Sequence, residues 1–391
     1  MTMKKFRFLT SGESHGKCLN AVIEGVPAGI RIKADIINND LARRQVGYGR
    51  GDRMKIESDT VEIKSGVRHG KTTGAPICLE IQNKDYINWE DVMAVEGYDY
   101  LTEEQKRKIE SRSFTKVRPG HADYAGSVKY NLSDLRDVLE RSSARKTAIE
   151  VAVGSVAKQI LREFGIMGFC HVIQIGDVKL DFYPKTYTLI KEKAEKSDVR
   201  CADDLTADRM KRAIDEAAEA GDTLGGKFEV IYGNLPVGLG SYVHWDNMLD
   251  GRLAQAIMSI PAIKAVEIGA GVEAASLKGS QMHDEIFVDK NKEIYRQTNN
   301  AGGIEGGITN GNTLIVKGTM KPIPTMRKPL ATVDIKDMSP AVAHFERSDV
   351  CAVPACAVVA EARVAIILVD ELLSKIGGDS LAEMKVHYGQ K

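Results

Sequence analysis

The segment that most restricts the fold lies near the C-terminus, at residues 355–378, ACAVVAEARVAIILVDELLSKIGG. Its apolar residues cover most faces of a helix, not one stripe, so it has to be sandwiched inside the protein. Gly377 and Gly378 supply the stop. The strongest apolar run, Val364 to Val369, is six residues long between Arg363 and Asp370, too short to span a bilayer. A buried helix of this kind needs apolar layers on both sides. The chain has them, being 391 residues long with 43% hydrophobic and 28% charged residues. Length alone suggests roughly two or three domains, with one large mixed fold as the alternative.

The opening region alternates short β-like stretches (FRFLT, CLNAVIEGV, GIRIKA, MKIESDTVEIKSGV) with glycine-containing turns. From Ser142 the period changes: Ile149, Val153, Val156, Ile160 and Leu161 recur at helical spacing, with Ser142 or Ser143 as the N-cap and Gly165 as the end. Residues 185–220, with eight bases and nine acids, read as solvent-exposed helical decoration. A further helix is expected across DNMLDGRLAQAIMSI, stopping near Pro261. Strand-rich segments beside long buried helices argue for α+β layers and against a doubly wound nucleotide fold.

Charge matters locally. The 54 Lys plus Arg balance 54 Asp plus Glu, so bulk attraction to nucleic acid or an acidic membrane is not the design. Yet 43–53 carries four Arg against one Asp, 141–146 and 317–328 carry only positive charge, and 111–120 adds Arg112, Lys116 and Arg118, whereas 85–104 holds seven acids and no base. Such segments either assemble one anion site from distant parts of the chain or are separate solvated faces. The six cysteines lack C-x-x-C spacing and fit reduced thiols in a cytoplasmic protein. The eight histidines form no H-E-x-x-H or paired Cys/His pattern, so no metal site is expected, and the start lacks a signal-peptide apolar stretch.

Several short motifs can carry chemistry. In Gly12-Glu13-Ser14-His15-Gly16 a histidine sits between glycines after a strand-like run, suited to proton donation or to an ordinary turn hydrogen bond. Arg43-Arg44-Gln45-Val46-Gly47-Tyr48-Gly49-Arg50-Gly51-Asp52-Arg53 offers forked donors on a loop of small residues, but matches neither G-x-G-x-x-G nor a P-loop. Arg118-Pro119-Gly120-His121-Ala122-Asp123 is a rigid turn presenting a second histidine. Arg141-Ser142-Ser143-Ala144-Arg145 places hydroxyls and cations at an expected helix N-terminus, where anions bind. Residues 302–311 hold five glycines in ten, allowing either close approach to a bulky ligand or a tight tertiary crossing. Lys321-Pro322-Ile323-Pro324-Thr325 and Arg347-Ser348-Asp349 complete the set.

GESHG at 12–16, RRQ-x-GYGRG at 43–51, SGVRHGKTTGAPI at 65–77, RPGHAD at 118–123, RSSAR at 141–145, GGIEGGITNG at 302–311, KPIPT at 321–325 and RSD at 347–349, in this order, resemble the chorismate synthase family. The resemblance spans nearly the whole chain. It implies a carbon-oxygen lyase of the shikimate pathway of aromatic amino-acid biosynthesis, with 1,4-anti elimination of phosphate from 5-enolpyruvylshikimate 3-phosphate in the presence of reduced FMN (FMNH2). It implies one domain over 1–391, with 85–117 and 184–220 as surface insertions, an α+β fold of the β-α-β sandwich type with helices layered between antiparallel sheets, and a homotetramer.

By position, the resemblance puts Arg44, Arg50, Arg53, Arg118, Arg145 and Arg347 around the substrate, and Ser14 and His15 near its leaving phosphate, His15 as general acid. It puts His121 at the pyrimidine end of the flavin, favouring a monoanionic reduced form, and Asp349 near flavin N5 as a relay for the substrate proton. Flavin contacts are implied for Arg141, Ser142, Ser143, Ala262, Gly306, Lys321, Pro322, Ile323, Pro324, Thr325 and Arg347. Lys146, Val46 and Pro261 depart from the common family residues, while R-S-D at 347–349 is a form that occurs in the family. No nucleotide fingerprint supports NADPH-dependent flavin reduction by the chain itself, so an external reductant is expected. The competing readings are a flavin reductase or other phospho-substrate enzyme, and an RNA- or phosphate-binding module. The neutral sum is then expected to be a cationic pocket offset by acidic surface elsewhere.

Overall fold

Alternation builds the first sheet. Leu19, Ala21 and Ile23 on β2 (Cys18–Glu24) and Ile77, Leu79 and Ile81 on β4 (Ile77–Gln82) are buried, while their neighbours in sequence face outward. With β1 (Arg7–Ser11) and β3 (Val61–Ile63) they form an antiparallel sheet of order β1-β2-β4-β3. The computed structural model describes residues 3–51, 58–328, 330–346 and 348–389, so Arg53 and Arg347 lie outside the described residues.

The second sheet has the order β8-β9-β7-β5-β6, formed by β5 (Met167–Ile175), β6 (Val178–Lys179), β7 (Gly226–Gly233), β8 (Ile263–Ile268) and β9 (Leu314–Met320). Its pairings are all antiparallel. The fold is therefore α+β.

The apolar C-terminal segment is the helix Val353–Ile376, buried except at Arg363, Ser374 and Lys375. It packs on the helix Thr147–Arg162, which touches β2 and β4 of the first sheet, while Val353–Ile376 touches β5, β7 and β9 of the second. Gly154 lets the two helices meet: a Cβ there would lie 2.3 Å from Ala362 Cβ. Buried acids on the long helix are met by bases from other elements. Arg43 and Lys158 hold Glu361, and Arg252 and Lys4 hold Asp370 and Glu371.

Some local expectations change. Residues 34–45, read as part of a strand-rich region and a loop, form the helix Ala34–Gln45, so Arg43 and Arg44 stand in its last turn and, among the described residues, Arg50 is the arginine left on the glycine loop. The sequence from Ser142 is not one helix. Ser142 ends the helix Leu135–Ser142, Ser143 Oγ accepts from Arg145 N in a short 3-10 turn (Ala144–Lys146), and the long helix starts at Thr147. Residues 185–220 do more than decorate: the helices Tyr187–Lys196 and Asp204–Glu219 bury Ile190 and Ala194, and Ala207, Met210 and Ile214. Among the described residues no helix is long and apolar enough to cross a membrane.

Candidate active site

The turn after β1 is shaped by Gly12, at φ 102, where a Cβ would collide with Cys18 O. This brings Ser14 and His15 against the last turn of the helix Leu135–Ser142. Ser14 N donates to Glu140 O (2.9 Å), His15 N donates to Glu140 Oε2 (2.7 Å), and His15 Nδ1 lies 2.7 Å from Glu140 Oε1. Ser143 Oγ donates to Ser14 Oγ at 3.2 Å, and Asn83 Nδ2 donates to Ser14 O and Gly16 O. The His15 ring stacks on Trp89, with centroids 3.9 Å apart. Arg141 donates to Gly12 O and to Thr10, so in this structure it braces the turn.

Arg44 and Arg145 join this group. Arg145 Nη1 donates to Asp59 Oδ2 at 2.6 Å, and Arg44 Nη1 lies 4.0 Å from the same oxygen. Arg44 also donates to Thr147 Oγ1 and Ala144 O. Ser142 Oγ is buried with no hydrogen-bond partner among the described residues.

A second group surrounds Arg118, whose Nε and Nη2 donate to the two oxygens of Asp123, each at 2.8 Å. His121 Nδ1 is 2.6 Å from Asp123 Oδ1. Burial alone would raise the Asp123 carboxyl, but the hydrogen bonds and charges of Arg118 and His121 outweigh it and hold it well below the usual carboxylate range. Gly120, at φ 80, turns its carbonyl to accept from Lys321 Nζ and lies against Pro324. Burial, and after it the nearby charge of Lys264, pushes the Lys321 ammonium below its ordinary value.

A third group is tied to the second. Thr325 O accepts from Ser348 Oγ at 2.7 Å, Arg50 Nη1 pairs with Asp349 Oδ2 at 2.7 Å, and Gly51 N donates to Asp349 Oδ1 at 2.8 Å. Pro322 lies by Gly225, Ile323 O accepts from Thr223 Oγ1, and Ala262 O accepts from Lys321 N. Ala262 has φ 70, a strained value for a residue with a side chain.

Arg136 spans the first group to these two. Its Nη1 is 3.6 Å from Glu140 Oε1, its Nη2 donates to Glu346 Oε1 at 3.0 Å, and its guanidinium covers both Trp89 and Phe114, the latter also under Arg118. Gly306 stands apart: it is the exposed tip of a hairpin, Ile304–Glu305 with Ile308–Thr309, which is hydrogen-bonded to residues 236–241, Leu249 and Arg296 and, among the described residues, not to the residues of the three groups.

A chorismate synthase family model matches residues 6–373. The chain is 53% identical over 380 residues to the chorismate synthase of Alkaliphilus metalliredigens, covering 97% of each chain, and 51% identical over 384 residues to that of Carboxydothermus hydrogenoformans, covering 98% and 97%. It also resembles a crystal structure of chorismate synthase, with a TM-score of 0.79 and 42% identity, over 100% of this chain and 98% of that one. The chain belongs to the chorismate synthase family. Chorismate synthases are lyases of the shikimate pathway that make chorismate from 5-enolpyruvylshikimate 3-phosphate and depend on reduced FMN.

Sequence reasoning missed the residues that hold the family motifs in place. Glu140 directly precedes RSSAR, Asp59 lies between charged motifs, and Trp89 and Asn83 belong to or border the acidic stretch 85–104 that carried no motif. Glu140 had a signal: Leu135, Val138 and Leu139 mark a helix behind Asp134, whose side chain caps it, and that places Glu140 on the last turn. Trp89 had none, because its stacking on His15 is a tertiary contact across the sequence.

Proposed function

We propose that this chain, a chorismate synthase family lyase, works through the groups of His15, His121 and Asp349. The observation that carries the reading is the linkage itself, in which Arg136 spans Glu140, beside His15, and Glu346, in the segment leading to Asp349. The family reaction breaks a C–O bond to release phosphate and removes a ring proton in a 1,4-anti sense.

In this reading Arg44, Arg145, Arg50 and Arg118, with Arg53 and Arg347, bind the phosphate and two carboxylates of the substrate. His15 as imidazolium gives its proton to the departing phosphate oxygen, with Ser14 beside it. Asp349 takes part in carrying away the ring proton. Both of its oxygens are engaged by Arg50 and the Gly51 N–H, so the relay requires one of these contacts to yield. His121, oriented by Asp123, offers positive charge or a hydrogen bond at the pyrimidine end of the flavin.

The residues fit a phosphate-bearing, planar cofactor. Ser142 keeps a buried hydroxyl without a partner among the described residues, and Lys321 feels the like charge of Lys264, a repulsion that an anion relieves. Arg141, Ser142, Ser143, Ala262, Lys321 to Thr325 and Arg347 would hold FMN, with Gly306 supplied by the separate hairpin. When bound, reduced flavin supplies transient electron density as phosphate leaves. We take the whole chain as one unit of the β-α-β sandwich type, assembled as a homotetramer in the cytoplasm, with an external flavin reductant.

The test is an anaerobic assay with dithionite-reduced FMN and 5-enolpyruvylshikimate 3-phosphate, measuring chorismate and phosphate. Equimolar products are expected, and no chorismate where a known synthase turns over overturns the reading. His15→Ala and His121→Ala should each lower turnover at least about tenfold. Near-normal rates in both would remove the roles given to them.

A further inference from the structure

Glu140 is only 4% exposed, and all of its acceptors on this side are turned to the GESHG turn. One carboxylate oxygen takes the His15 backbone N–H, the other faces His15 Nδ1, and the Glu140 carbonyl takes Ser14 N–H. An ionised carboxylate only accepts hydrogen bonds, so the nitrogen facing it has to carry a proton. The ring plane is set independently by the stack on Trp89, 27° from parallel. Among the described residues, charged groups near the pair include Arg136, 3.6 Å from Oε1, and Arg112, whose guanidinium lies 4.7 Å from the Trp89 ring centroid. Arg141, on the same helix turn, is directed to Gly12 O and Thr10, and Glu13 lies along the turn beside Gly16.

We propose that Glu140 is the positioning residue of His15: it fixes the proton on Nδ1, so that Nε2 becomes the atom that gains and gives up a proton. The same logic makes a buried carboxylate orient the imidazole of hydrolase triads, where its loss leaves the geometry intact but the tautomer wrong. The catalytic consequence rests on the reading of His15 as general acid. The tautomer does not.

Glu140→Gln separates the two. A glutamine in the same pose puts its one oxygen where one carboxylate oxygen stood and its NH2 where the other stood, so it cannot accept from the His15 backbone N–H and from Nδ1–H at both positions. With the backbone N–H held by the turn, the NH2 meets Nδ1, which then accepts, and the proton moves to Nε2. The readout is the long-range 1H–15N spectrum of the full-length protein labelled at histidine, with the His15 signals identified by their loss in His15→Asn. Wild type should show Nδ1 protonated and Glu140→Gln should show it bare, while Glu140→Asp, which keeps a carboxylate, should keep the Nδ1 proton. In the anaerobic assay Glu140→Gln should lower kcat at least about tenfold with KM changed less than about threefold, and Glu140→Asp should recover part of kcat. A bare Nδ1 in wild type, or an unchanged Nδ1 proton in Glu140→Gln, overturns the assignment. A switched tautomer with unchanged kcat upholds it and overturns the role of His15 as acid.

Discussion

Gly154→Ala tests whether the two central helices are packed as closely as their sequences permit. A Cβ at this position would lie 2.3 Å from Ala362 Cβ, 2.6 Å from Ala362 Cα and 2.9 Å from Ala362 O. Ordinary carbon contacts are about 3.5–4.0 Å, so the helices must part by roughly 1 Å or more. Two of the three atoms met are backbone, which no rotamer change can move aside. Replacing glycine by alanine inside a helix gains about 1 kcal/mol of propensity. Overpacking a tight core costs about 1–3 kcal/mol, and a contact made largely with backbone belongs at the upper end. The net is a destabilisation of about 2 kcal/mol.

Urea denaturation followed by circular dichroism should therefore show a lower midpoint at unchanged slope. Ala362→Gly combined with Gly154→Ala should be less destabilised than the sum of the single changes, because the Cβ–Cβ clash is removed. Recovery should be incomplete, since the contact with the residue 362 Cα persists. Turnover should fall as well: Thr147–Arg162 begins just after Arg145, and Val353–Ile376 just after Asp349, so parting them shifts two site groups. A variant as stable as wild type or more stable would refute the reasoning.

Lys321→Met should weaken reduced FMN binding at least about tenfold in an anaerobic titration followed by flavin absorbance, and unchanged affinity would remove Lys321 from the flavin site. The Glu346 carboxyl is held at about 2, because the His344 hydrogen bond and the Arg136 and His344 charges outweigh burial, which alone would raise it. A carboxyl depressed on folding stabilises above its unfolded value of 4.5 and loses that contribution as pH falls toward about 2. Glu346→Gln should thus flatten the loss of stability between about pH 4.5 and pH 2. Equal slopes in wild type and variant would show that Glu346 does not carry it.

The legible parts of the sequence were those where one chemical property repeated at one period. Val353–Ile376 announced itself because almost every position is apolar, and the strands of the first sheet because Leu19, Ala21 and Ile23 alternate. Ala34–Gln45 did not, because its buried face mixes Ile37 and Leu41 with Asp40, Arg44 and Gln45, and a helix that buries ion pairs has no apolar stripe to read. The motif residues were found because their spacing is local. The residues that brace them were not, since Asp59 reaches Arg145 across 86 positions and Glu140 reaches His15 across 125.

The same contacts revise the picture of a cationic pocket offset by acidic surface. The acids that balance the site cations lie beside them: Asp59 with Arg145, Asp123 with Arg118 and Asp349 with Arg50. A buried arginine is costly unless paired, so a site that must exist before its ligand arrives keeps resident carboxylates. An incoming phosphate then competes with those carboxylates, and its affinity is a difference between two strong interactions. Asp59→Asn should expose this. Loss of the carboxylate leaves Arg145 and Arg44 with more positive charge to offer, so the substrate KM should fall or inorganic phosphate should inhibit at lower concentration, while the free protein loses stability. If Asp59→Asn weakens phosphate binding instead, Asp59 is holding the guanidinium in the geometry that the ligand needs, and the competition argument fails at this position.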